Sequence, residues 1–120
     1  MTPRDERFRT AVVDGGALGA VAIDIATRTP LAGFAHGELA SAGFVDLLLG
    51  AVRPSGPLTR LGDGAPPGAA RELFVAGRDR AVYCSVVEQR VLIIVATPAA
   101  TSLAIGWALV RALVAAEAAP

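Results

Sequence analysis

The stretch Glu38-Leu-Ala-Ser-Ala-Gly-Phe-Val-Asp-Leu-Leu-Leu-Gly-Ala-Val-Arg53 reads as a helix that is apolar on nearly every side. Such a helix requires cover on two faces. A domain of 120 residues buries roughly two-thirds of its unfolded surface, so a sheet can cover one face while little chain remains for the other. The second face asks for a partner, and the chain speaks of association before it speaks of chemistry.

Composition points the same way. The length fits a single domain, residues 1–120, with no room for a second core. Hydrophobic residues make up 53% and charged residues 18%, which is too apolar for a disordered chain and lean in charge for a monomer. Lys+Arg and Asp+Glu balance at 11 each, so no overall basic field favours nucleic acid. Every basic residue is an arginine, as codon usage in a GC-rich bacterial genome would produce, and the lack of lysine excludes Schiff-base chemistry and a P-loop. The single cysteine, Cys84, excludes an intramolecular disulfide. The charged N-terminus (Arg4, Asp5, Glu6, Arg7, Arg9) has no signal-peptide pattern, which makes the cytoplasm the expected location.

The uncharged run Val91 to Val110 is long enough to span a membrane. Its first part, Val91 to Ala96, is β-branched and aliphatic, and Thr97-Pro98 then reads as a helix cap followed by proline at the first helical position. The expectation is a buried strand and a helix from Pro98 to about Glu117, with no transmembrane span. Leu103, Trp107, Val110 and Val114 are expected to line that helix's buried face, flanked by Leu109 and Leu113.

Around these two helices the other elements fall into order. Thr2-Pro3-Arg4-Asp5 starts a short first helix that Gly15-Gly16 stops. From Leu18 to Ile25, Val21, Ile23 and Ile25 alternate with Ala20, Ala22 and Asp24, the period of a strand with one covered face. A turn over Ala26 to Pro30 leads to a second strand, Leu31 to Ala35. Ser55 to Gly68 is the one long loop, rich in glycine and proline. Arg71 to Ala76, Ala81 to Glu88 and Val91 to Ala96 then follow as strands whose tight turns force antiparallel neighbours. The order α-β-β-α-β-β-β-α is an α+β fold with a five-stranded antiparallel sheet.

That order, Gly19-Ala-Val-Ala-Ile-Asp-Ile25, Ala81-Val-Tyr-Cys-Ser-Val-Val-Glu-Gln-Arg-Val-Leu-Ile-Ile-Val95 and the ending Thr101-Ser-Leu-Ala-Ile-Gly-Trp-Ala-Leu-Val-Arg111 together resemble the roadblock/dynein light chain family. The resemblance implies a roadblock/profilin-like sandwich. It also implies a homodimer in which second helices pack together and third strands pair edge to edge. Mapped onto this chain, that interface would use Leu39, Phe44, Leu47, Leu48 and Val52 with Glu72, Leu73, Phe74 and Val75. Bacterial members of the family bind small Ras-like GTPases as activators or effectors, so a GTPase is the implied partner. The first helix is shorter than is usual in the family, and Thr27 to Pro30 replace a glycine common in the first hairpin turn.

No motif announces catalysis. Asp14-Gly-Gly-Ala-Leu-Gly19 precedes a strand and lacks G-x-G-x-x-G spacing, so it reads as a helix stop. His36, the only histidine, has no metal-spaced neighbours and reads as a loop residue; neither a metal nor a cofactor is expected. Cys84 sits mid-strand, where a small thiol packs well, and is expected to be inert. A small hydrolase or ligand site built on His36, Cys84 and the long loop is the remaining catalytic alternative. A self-associating scaffold joined by strand addition is the structural one. Arg60, Arg71, Arg78 and Arg80 form the surface set best suited to an acidic partner, because a guanidinium forks onto carboxylates and phosphates.

Overall fold

Helix α1 (Pro3–Val13) begins where Thr2 and Pro3 place it. In the computed structural model, which describes residues 2–52 and 72–118, the Thr2 hydroxyl accepts from the Asp5 N–H at 3.1 Å and donates to the Asp5 carboxylate at 2.8 Å. Past its end Gly16 takes a positive φ of 83° and the chain turns into the sheet.

Five strands follow: β1 (Gly19–Asp24), β2 (Pro30–Phe34), β3 (Glu72–Ala76), β4 (Arg80–Val87) and β5 (Val91–Pro98). They pair antiparallel in the order β2-β1-β5-β4-β3. Helix α2 (Ala42–Val52) covers one face, while α1 and α3 (Leu103–Ala118) cover the other. The expected α+β architecture is found.

The strands sort their side chains by parity. Val21, Ile23, Val82, Cys84, Leu92 and Ile94 point towards α2 and meet Val45 and Leu48. Ala20, Ala22, Tyr83, Ile93 and Val95 point towards α1 and α3 and meet Phe8, Val110 and Leu113. The β1 expectation is corrected here: both of its faces are covered, and its alanines are as buried as its valine and isoleucine. The alternation of large and small residues along β1 therefore marks two covered faces, not an inside and an outside.

Two helix starts also move. Gly37–Ala40 forms a short 3-10 turn and Ser41 is extended (ψ 144°), so α2 begins at Ala42, four residues after the expected Glu38. The Ser41 hydroxyl accepts from the Phe44 N–H at 3.4 Å and its carbonyl from the Val45 N–H at 2.9 Å. Thr97 and Pro98 belong to β5 and do not cap a helix. Proline is tolerated because it ends the strand. Helix α3 is capped instead by Ser102, whose hydroxyl accepts from Ile105 N–H and whose carbonyl accepts from Gly106 N–H.

The buried line of α3 is accordingly Gly106, Val110 and Leu113, with Trp107, Leu109 and Val114 partly covered; Leu103 is 54% exposed. Gly106 seats the helix, since a Cβ there would fall on Cζ and the hydroxyl of the fully buried Tyr83. Tyr83 is held between Phe74 and Trp107, each with its ring centroid 5.0 Å away. At the far end, Arg4 grips Glu117 in a bidentate pair at 2.7 and 2.6 Å, tying the start of α1 to the end of α3.

Candidate interaction surface

The two outer strands of the sheet differ. On β2, Pro30 has no N–H, and the Gly33 N–H donates to Asp5 of α1 at 3.3 Å. The Thr2 hydroxyl and that Gly33 N–H hold the Asp5 carboxyl below the usual carboxylate range, so the latch persists at neutral pH and is lost as acid protonates Asp5. This edge is blunted.

On β3 the described residues show no such cover. The Gly77 N–H donates to the Arg80 carbonyl at 2.8 Å, which sets the ladder. Antiparallel alternation then turns the backbone groups of Glu72, Phe74 and Ala76 away from β4. Phe74 is 38% and Val75 47% exposed, on opposite faces of the strand, while Leu73 is partly covered against the α2-side core. A strand with open backbone groups and apolar side chains is a template for another strand.

Helix α2 supplies the neighbouring ridge. Its turn-by-turn phase directs Val45 and Leu48 into the core and brings Gly43, Asp46, Leu47 and Gly50 outwards; Leu47 is 68% exposed. Of the helix residues named for an interface whose side chains are described, Leu47 alone is fully outward. Leu48 (2%) and Leu39 (4%, on the 3-10 turn) are enclosed in this chain's own core. Phe44 is half-buried over a cavity of about 160 Å³ beside Arg80. Val52 is the last residue of α2.

Among the four arginines, Arg78 is exposed in the β3–β4 turn, and Arg80 reaches Glu38 at 3.5 Å. Arg60, Arg71 and the loop Ser55 to Gly68 lie outside the described residues. An arginine that composition did not single out, Arg28, bonds Asp46 on the outer side of α2 at 2.6 Å. Arg28 sits at φ 61° in the glycine-free β1–β2 turn, which Asp24 stabilises by accepting the Ala26 and Thr27 N–H groups.

Of the catalytic alternative, only His36 and Cys84 fall among the described residues. His36 is half-buried at the start of the 3-10 turn, and its Nδ1 has no hydrogen-bond partner among the described residues. Cys84 is fully buried on the α2 face of the sheet. No group of three His, Cys, Asp or Glu suited to a metal occurs among the described residues.

Burial pushes the Cys84 thiol up to about 12 from an ordinary 9.0. The unfolded chain therefore releases this proton first, and stability contributed by the buried thiol is present below pH 9 and lost between about 9 and 12. Chemical denaturation across that range should show the native chain losing up to about 1.4 kcal/mol per pH unit more than Cys84→Ala. Native Cys84 should also resist thiol reagents until the sheet opens. Equal alkaline slopes for both proteins would contradict the burial argument.

No helix among the described residues is long and apolar enough to cross a membrane. No protein-family model matches the sequence, and no curated protein does. Among solved structures, the chain is similar to Myxococcus xanthus MglB, with a TM-score of 0.73 over 98% of this chain and 94% of that one, at 19% sequence identity. With its five-stranded antiparallel sheet, α2 on one face and α1 and α3 on the other, the chain has the roadblock fold.

Proposed function

We propose that this chain is a non-catalytic homodimeric regulator that binds a small Ras-like GTPase, as activator or effector, in the cytoplasm. The observation that carries the dimer is the coincidence of the open β3 edge with the exposed Leu47 of α2 and Val75 of β3. Two copies about a twofold axis would pair β3 with β3 and set the two α2 ridges side by side. Gly43 and Gly50 flank Leu47 with open space around them, so the ridge offers little steric resistance to a second helix. The partner class rests on the family resemblance and on the fold shared with MglB.

The mechanism is positional. A joined sheet presents a rigid surface, and the GTPase's nucleotide state selects the bound form through differential contacts. Any acceleration of hydrolysis would come from ordering the GTPase's own residues, with an arginine supplied in trans as the alternative. Arg78 is the strongest contact candidate, because Arg80 already engages Glu38. Arg60 and Arg71 remain candidates by sequence.

Calorimetric titration with small Ras-like GTPases, loaded with GDP or a non-hydrolysable GTP analogue, tests this reading. Binding should favour one nucleotide state, and Arg78→Ala should weaken it about tenfold while leaving the dimer mass unchanged. Equal binding of both states would overturn the regulatory reading in favour of a scaffold joined by strand addition, which the open β3 edge also suits.

A further inference from the structure

The face of the sheet opposite α2 carries a second surface. Helices α1 and α3 run antiparallel there, tied at one end by Arg4 and Glu117 and touching at the other, where a Cβ on Gly15 would strike Leu109 Cδ2. Between these ends lies an open groove of about 430 Å³. Ala11 and Leu113 form its floor. One wall is Arg7 and Thr10 of α1 with Asp14, the residue that caps its C-terminal end, at i, i+3 and i+7; the other is Leu109 and Ala112 of α3. Ile105, one turn before Leu109 and 53% exposed, extends the apolar wall.

The chemistry of the walls selects the occupant. Both are helices whose backbone groups are spent on their own hydrogen bonds, so the groove offers no ladder to an extended peptide. An occupant must satisfy its own backbone, as a helix does. The floor calls for an apolar stripe. Arg7 and Asp14 stand about 10.5 Å apart along α1, two turns, with opposite signs and no ion-pair partner among the described residues. Mixed signs disfavour an anionic lipid surface and favour a helix carrying one acidic and one basic residue two turns apart.

We propose that the α1–α3 groove docks an amphipathic helix of a partner protein, with Arg7 and Asp14 pairing to its acidic and basic residues. This surface lies across the sheet from α2 and does not depend on the proposed GTPase or on dimerisation. Both faces can be occupied at once.

The probe is a synthetic, side-chain-stapled helix with leucines along one face and a Glu and a Lys seven residues apart beside them. Two companion peptides carry Glu at both positions or Lys at both. Titrated into the isotope-labelled chain and followed by NMR, the mixed-charge peptide should shift amides around Thr10, Asp14, Leu109 and Ala112 and bind about tenfold more tightly than either companion. Arg7→Glu should transfer the preference to the all-Lys peptide, and Ala112→Trp, a change on an exposed wall, should abolish binding while the spectrum stays native. Shifts centred on α2 and β3, or equal binding of all three peptides, would overturn the proposal.

Discussion

Gly106→Val is expected to lower the stability of the chain by about 3 kcal/mol and its Tm by roughly 10 °C. The valine carbons would have to occupy the volume of the Tyr83 ring, and that ring cannot yield, because Phe74 and Trp107 flank it and it has no exposed surface. The helix would lift from β4, opening the core that Val110 and Leu113 share with Ile93 and Val95. The slight gain in helix propensity on replacing glycine recovers only a few tenths of a kcal/mol. Thermal melts of the single variants and of Gly106→Val combined with Tyr83→Leu separate the cause from a general helix effect. The pair should be less damaged than the sum of its parts. Additive losses would show that Gly106 is not pressed on Tyr83.

Leu47 and Leu48, adjacent and chemically identical, are expected to fail in different ways. Leu48 is enclosed between α2 and the sheet, so Leu48→Ala leaves a cavity and should cost about 2–5 kcal/mol of stability. Leu47 is 68% exposed and belongs to neither hydrophobic cluster of the described residues, so Leu47→Arg should leave the fold of the subunit intact. In the proposed dimer, however, it would place a charge beside its symmetry mate on a desolvated ridge and should raise the dissociation constant a hundredfold or more. Denaturation and sedimentation measured on both variants give four results. A Leu47→Arg variant that remains dimeric would remove α2 from the interface.

This contrast also marks what could be read from the residues. An antiparallel sheet was legible because Val91 to Ala96 is too β-branched for a helix end and because Gly77 to Arg80 and Gln89-Arg90 leave room only for tight turns. The phase of α2 was not. With Ala, Gly and Leu on every side, the periodicity of this helix has no preferred direction, and only packing on Val21, Ile23 and Ile94 decides that Leu48 is inside and Leu47 outside. The start of α3 was misplaced because Thr97-Pro98 is as good a strand end as a helix start; the structure gives the cap to Ser102. The face of α3 shifted because Gly106, which contributes no hydropathy, is the residue that seats it. The α1–α3 groove could not be read from spacing, since Arg7 and Asp14 become neighbours of Leu109 only after the helices pack.

The proposed pairing of two copies through α2 and β3 is tested most directly by the solution mass of the purified chain, measured by light scattering over a wide dilution range. The expected result is twice the 12.2 kDa chain mass, persisting to low concentration and falling to the monomer in Leu47→Arg. A well-behaved monomer at all concentrations would contradict it: the β3 edge and Leu47 would then be exposed for another reason, and the homodimer would be excluded.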